Sequence, residues 1–403
     1  MLQKISVQQL RIGMYVDRLE GSWLDHPFWR GSFLVRHEEE LQAIRESAVA
    51  ALWIDPDRGL GLAEPAPPDA PARAPQLPAA AEAPLPPPAP VPSELRFELQ
   101  RARRICEGSR PLLRTMFEHA RMGRAIDTVG AGELVDEIAD SMERNSWALL
   151  SVVRLKKADE YTYMHSAAVC ALMIALARQL GLDAQQVRDA GMAGLLHDVG
   201  KAMIPPAIIN KPGRLTPEEF EVMRKHPELG YELLRGLDGV QPAALDVCLH
   251  HHEKMDGSGY PNRAPGSRIS LVARMAAVCD VYDAITSNRP YKQGWDPAGS
   301  LRRMAGWIGS HFDEAVFQHF VKSVGIYPVG SFVRLDSGWL GVVVDQSADS
   351  LLTPKVRVFL EAGTRRVHAA RLVDLAQPRC SERIAGLENP SDWDVGPLGR
   401  YME

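Results

Sequence analysis

"LHHHEKMDGSGYPNR", residues 249–263, places three consecutive histidines and a glutamate directly ahead of a segment with two glycines, a tyrosine and a proline. A core helix has no use for such a run, and an exposed helix face would carry Lys and Glu in its place. The stretch reads as the end of a helix whose imidazoles meet at a site, followed by a turn that folds the chain back over it. Gly257 and Gly259 permit backbone angles that other residues resist, and Pro261 stiffens the exit.

Outward from this stretch, six of the twelve histidines fall between 165 and 252, all in a region of helical periodicity. His165 lies early in the apolar run YTYMHSAAVCALMIAL, and His197 and Asp198 end the amphipathic DAQQVRDAGMAGLLHDVGK. His226 opens RKHPELGYELL, where Pro227 suits a first helical turn. Asp280 and Asp283 sit three apart in RMAAVCDVYDAITSNRPYK. Each element alone has an ordinary reading: a hydrogen-bonded core histidine, a chance dipeptide, a solvated acidic face. Their coincidence on helices that must pack together points to a metal centre. Neutral imidazole with carboxylate and without thiolate is a ligand set for divalent metals used in hydrolysis. Adjacent ligands, as in His197–Asp198 and His251–His252, diverge by about 100° on a helix and so can serve two ions.

The chain is 403 residues long, 45% hydrophobic and 24% charged, enough for two or three domains. A net charge of -5 argues against general affinity for nucleic acid polymers or anionic membranes. Five scattered cysteines without a CxxC pair suit reduced thiols. The N-terminus lacks an apolar signal core, and AAVCALMIALA is too short to span a bilayer, so a soluble cytoplasmic protein is expected.

Residues 1–55 mix short strand-like runs with one polar helical stretch and predict a small α/β module, with Trp23, Pro27, Phe28 and Trp29 in its core and turns. Residues 56–97 read as a linker, since 65–92 hold twelve prolines in 28 residues. Helical periodicity then defines a connector at 98–150 and a larger domain at 151–325. Alternation in SFVRLDSGWLGVVVDQ, PKVRVFL and RRVHAARLVDL predicts a small β-module over 326–378, and 379–403 is expected to be an irregular tail. The expected fold is mainly α, a helical bundle flanked by these two small modules.

The series His197–Asp198 with Lys201, KPGRL, KHPELG, HHE with DGSGYP, and DVYDAITSNRPYK resembles the HD-GYP domain of the HD phosphohydrolases over roughly 155–325. The N-terminal module, with QQLRIGMYV and ALWID, is similar to an uncharacterised domain often fused ahead of such units. The resemblance implies a helical bundle holding two or three metals. It also implies hydrolysis of the bacterial messenger cyclic di-GMP to pGpG, often onward to GMP, with effects on motility and biofilm. Carried over by position, the metal ligands are His165, His197, Asp198, His226, His251, His252 and Asp280, leaving out His250. Relatives with a third metal carry a glutamate four residues before the first of these. Here that position is Tyr161 and Glu160 lies one place off, which favours two metals, iron or manganese. Lys201, Arg289 and Lys292 are the implied phosphate contacts. Tyr260 is read either as a border of the guanine pocket or as a packing residue of the turn. Asp283 is a candidate for orienting a ligand or moving a proton, alongside Asp198 and Lys201 as catalytic residues, or else is simply structural. The competing reading is a catalytically silent sensor of cyclic di-GMP, or a docking module for diguanylate cyclases. The sequence leaves the oligomeric state open.

Overall fold

The computed structural model describes residues 2–19, 33–35, 38–45, 51–60, 95–154, 161–287, 294–347, 350–396 and 398–401. They fall into two compact units, Met1–Pro88 and Ala89–Glu403. Trp23, Pro27, Phe28, Trp29, the proline-rich stretch 65–92, Glu160, Arg289 and Lys292 lie outside the described residues, as does the side chain of Tyr161.

In the first unit, β1 (Gln3–Ser6), β2 (Tyr15–Leu19), β3 (Phe33–Leu34) and β4 (Ala51–Ile54) form an antiparallel sheet in the order β1-β4-β2-β3, accompanied by α1 (Glu38–Arg45). Ile5, Leu10, Met14, Val16, Ile44, Leu52 and Ile54 fill its core. This is the small α/β module that the alternation of MYVDRLE and the closing ALWID predict.

The second unit opens with α2 (Leu95–Arg121) packed against α3 (Thr128–Arg154). Glu98 is buried on α2, where Arg144 and Arg101 donate to its carboxylate at 3.0 and 3.3 Å. Next comes α4 (Tyr161–Gln179), buried without a break from Met164 to Ala177. Its sequence is apolar on every side, and such a helix is stable only in the middle of a bundle. Accordingly α2, α3, α5 (Ala184–Leu196), α10 (Leu271–Thr286) and α12 (Glu314–Val324) surround it. Between α5 and α10 run the short helices α6 (Pro206–Ile209), α7 (Pro217–Met223), α8 (His226–Leu234) and α9 (Pro242–His250), and α11 (Pro297–Ala305) follows α10. Their starts are chemically marked. Asp183 and Gln186 form a capping box on α5, Thr216 and Glu219 on α7, Ser270 caps α10, and α7, α8, α9 and α11 each carry a first-turn proline. Among the described residues, no helix is long and apolar enough to cross a membrane.

The chain ends in a five-stranded antiparallel sheet of β5 (Phe332–Leu335), β6 (Trp339–Asp345), β7 (Lys355–Glu361), β8 (Arg366–Asp374) and β9 (Ile384–Leu387), in the order β8-β7-β6-β5-β9. Phe332, Leu340, Val342 and Phe359 pack on one face and Val333, Val343, Val356 and Val358 on the other. The tail departs from expectation. Among the described residues, the tail is not wholly irregular, because β9 pairs with β5 and Tyr401 stacks on Phe359 at 3.5 Å. IAGL is too short and too weak in strand formers to announce itself; the open edge of β5 recruits it.

Candidate metal centre

The bundle brings five separate segments to one buried point. His165 comes from the second turn of α4, and Asp280 and Asp283 from α10. His197 caps the C-terminus of α5, and Asp198 leads into a tight helical turn at Val199–Met203. Gly200 in that turn is needed for space: a Cβ there would stand 1.9 Å from the His226 carbonyl oxygen. Its absence lets the first residue of α8 lie against the His197–Asp198 turn. On the far side, α9 ends at His250, His251 is its cap, and His252 follows.

Asp198 is the hub. Its Oδ1 lies 3.3 Å from His226 Nε2 and 3.6 Å from His251 Nε2, and its Oδ2 lies 3.5 Å from His165 Nε2 and 3.3 Å from His197 Nε2. Asp280 Oδ1 is 3.0 Å from His165 Nε2, and Asp280 Oδ2 is 4.0 Å from His252 Nδ1. Two sets of four donors result, Asp198–His226–His251–His252 and His165–His197–Asp198–Asp280, with Asp198 in both. All seven residues predicted from the sequence are therefore together. Ligands about 2.1 Å from one ion stand roughly 3.0–3.4 Å apart, the spacing of the Asp198–His226, Asp198–His197 and Asp280–His165 pairs.

The ring orientations fit a cation as well. Nδ1 of His197 donates to the Gly194 carbonyl at 2.8 Å, Nδ1 of His226 to Met223 at 2.8 Å, and Nδ1 of His251 to Val247 at 2.9 Å. Nδ1 of His165 donates to Asp283 Oδ2 at 2.6 Å. Carbonyl and carboxylate oxygens only accept, so each Nδ1 carries a proton and each Nε2 turns inward. His226 Nε2 and His251 Nε2 then face each other at 3.3 Å, lone pair to lone pair. Among the described residues, His197 Nε2 and Asp198 Oδ1 are buried without a hydrogen bond. Such groups cost about 1–3 kcal/mol each when left bare, and a bound cation removes that cost.

Electrostatics separates the members. Burial acts to raise the Asp198 and Asp280 pKa values, but Lys201 and imidazoles outweigh it at Asp198, and the imidazoles of His165, His197 and His252 outweigh it at Asp280, so both lie well below the carboxylate range. Burial lowers His226 to about 4 and, with His251 and His226 beside it, drives His252 well below its ordinary value, so both rings are neutral donors. Burial also opposes charge on His165, yet hydrogen bonds to Asp198, Asp280 and Asp283 prevail and lift it to about 10. Lys201 pairs directly with Asp198, and its side chain is 24% exposed.

Around this shell, Asp283 holds His165 in place, and the Ser287 hydroxyl donates to Asp283 at 3.2 Å. Tyr260 stacks on His252 with ring centroids 4.7 Å apart. Sequence reasoning missed Glu253. Buried at 1% exposure, it accepts from the backbone N–H of Asn262 at 2.7 Å and of Ala264 at 3.0 Å, pinning the turn beside the histidines. The only sequence signal was its place directly after His252. His250, left out of the ligand set, turns away, held by Asp246 at 2.8 Å and near Asn262 at 3.2 Å.

The chain is similar to known proteins in both its helical and its N-terminal parts. Residues 151–316 match the HD domain, and residues 2–131 match a domain of unknown function, DUF3391. The chain is 53% identical to a cyclic di-GMP phosphodiesterase of Pseudomonas aeruginosa over 399 residues, 99% of this chain and 95% of that protein. It is 47% identical to the cyclic di-GMP phosphodiesterase response regulator RpfG of Xanthomonas campestris over 140 residues, 34% of this chain and 37% of that one. A solved HDG"Y"P protein from Bdellovibrio bacteriovorus is similar at 16% identity and a TM-score of 0.47, covering 80% of this chain and 99% of that one.

Proposed function

The chain belongs to the family of HD-domain cyclic di-GMP phosphodiesterases, and from that premise we propose that its His and Asp cluster hydrolyses cyclic di-GMP to linear pGpG and onward to GMP. The observation that carries this reading is Asp198, whose two oxygens face two different imidazole pairs, His226 with His251 and His165 with His197. A carboxylate so placed suits a bridge between two divalent ions, for which the nitrogen and oxygen donors favour iron or manganese. Bound there, the ions supply Lewis acidity that makes water nucleophilic at neutral pH and draws charge from the non-bridging phosphate oxygens.

The chain's own residues divide the remaining work. His165, His197, His226, His251, His252, Asp198 and Asp280 are the proposed ligands, and Asp283 fixes the His165 ring through Nδ1. Lys201 holds Asp198 ionised and, from its part-exposed position, is proposed to meet a phosphate oxygen as negative charge grows at phosphorus. His252 is the part-exposed imidazole, with 22% of its side chain open, so the substrate approaches from its side. Arg289 and Lys292 are proposed to grip the substrate phosphates from the segment after α10.

Residues 151–325 are the proposed catalytic domain, with 98–150 as connector and the modules at 1–55 and 326–378 as accessories. The activity would lower the messenger level in the cytoplasm and so affect motility and biofilm. The test is incubation of metal-loaded protein with cyclic di-GMP, separation of the products, and nucleoside triphosphates as control substrates. Appearance of pGpG or GMP with intact triphosphates is expected. Binding of cyclic di-GMP by metal-replete protein without turnover would establish the sensor or cyclase-docking reading in its place.

A further inference from the structure

Four of the five clustered imidazoles are oriented by an Nδ1 hydrogen bond to a carbonyl or carboxylate oxygen, and the fifth is not. Among the described residues, the His252 ring makes no hydrogen bond, and Asp280 Oδ2, 4.0 Å from its Nδ1, is beyond hydrogen-bond distance. A ligand ring without such a support is free to rotate about its side-chain bonds, and ligand orientation governs metal affinity. Packing supplies what hydrogen bonding does not. The Tyr260 ring lies on His252 at 4.7 Å and 28°, while the His251 and His226 rings lie 4.1 and 5.0 Å from it.

Tyr260 is itself fixed from two directions. Its N–H donates to the His252 carbonyl at 3.2 Å, and Glu253 holds the following residues, so the turn is tied back onto the histidines. Gly259 makes that possible, since a Cβ there would come within 2.5 Å of Glu253 Cα. From α7, the edge of Phe220 meets the Tyr260 ring at 6.3 Å, and the Arg224 guanidinium sits 5.0 Å from its centroid. The Tyr260 hydroxyl makes no hydrogen bond among the described residues, so the ring carries the contact.

We propose that Tyr260 is a positioning residue for His252, replacing with a stacked ring the hydrogen bond that orients every other histidine of the cluster, and that Arg224 and Phe220 brace it from α7. The inference rests on the reading of the cluster as a metal centre and predicts an effect on metal binding without substrate. The experiment is a chelator-competition titration of the full chain with Mn²⁺, for the native protein and for Tyr260→Phe, Tyr260→Leu and Arg224→Met. Tyr260→Phe is expected to keep native affinity within about twofold. Tyr260→Leu should weaken the ion shared by His226, His251 and His252 by about 10–100-fold, the range for loss of a group that orients a ligand. Arg224→Met, at a half-buried residue, should weaken the same ion by about two- to fivefold. Native affinity in Tyr260→Leu, or in Arg224→Met should Tyr260→Leu not fold, overturns the proposal. A loss in Tyr260→Phe equal to that in Tyr260→Leu also overturns it, because the hydroxyl would then be the active group. Failure of the native protein to bind Mn²⁺ would instead refute the metal centre itself.

Discussion

The interior of the helical bundle and the interior of the C-terminal sheet are equally well buried, but they are filled with different chemistry. Phe332, Leu340, Val342 and Phe359 fill one side of the sheet with apolar side chains alone. The bundle, at the same depth, holds His165, His197, Asp198, His226, His251 and Asp280. Burying ionised carboxylates and facing lone pairs opposes folding, whereas burying Phe and Val drives it. The apolar sheet interior stabilises the fold, and the bundle carries a local cost that a bound cation would relieve.

Substitutions break this contrast in opposite ways. Asp198→Ala removes the carboxylate common to both donor sets, so turnover should fall at least about 10³-fold and metal content should drop. The helices keep their apolar faces, so the circular dichroism spectrum should persist; a metal-replete Asp198→Ala protein with native turnover would refute the assigned centre. In the sheet, Phe359→Ala removes a fully buried ring stacked between Phe332 and Tyr401 and should cost about 3–5 kcal/mol of sheet stability. Metal content measured below its unfolding midpoint should remain native. Loss of metal in Phe359→Ala would mean that the sheet shapes the centre.

Smaller effects sharpen the comparison. Replacing both Arg289 and Lys292 by alanine should leave metal content intact and raise KM at least tenfold, since a desolvated charge-assisted contact is worth about 1.5–3 kcal/mol. Steady-state kinetics with metal content matched decides it, and an unchanged KM would make both residues surface bases. Lys201→Ala should lower kcat more than it raises KM. Smallest of all, removal of residues 1–92 should leave turnover within about twofold, because the proline-rich stretch implies few contacts with the catalytic region. A soluble, metal-loaded and inactive remainder would make the N-terminal unit part of the catalytic assembly.

The clustered His and Asp residues were legible in the sequence because imidazole clusters and an HD dipeptide are rare on apolar helices and have a narrow chemical use. Helix starts were legible through local rules, as with Pro227 in the first turn of α8. What escaped depends on contacts that helix and strand periodicity do not encode. Asp283 was marked as a candidate, but its partner, His165, lies 118 residues away. The pinning role of Glu253 depends on two backbone amides in a turn whose path periodicity does not encode. For Tyr260 the sequence left two readings open, and only the stacked geometry on His252 favours the packing role. β9 exists because β5 offers an edge, which a four-residue run cannot advertise.

The central claim, that Asp198 is shared by two ions that act together, is tested most directly by electron paramagnetic resonance during Mn²⁺ titration of metal-free protein, with cyclic di-GMP turnover followed on the same samples. The account predicts a spin-coupled signal that saturates at about two ions per chain, with turnover rising alongside it and lost in Asp198→Ala. Full turnover at one ion per chain, or two uncoupled Mn²⁺ signals in an active sample, would contradict it.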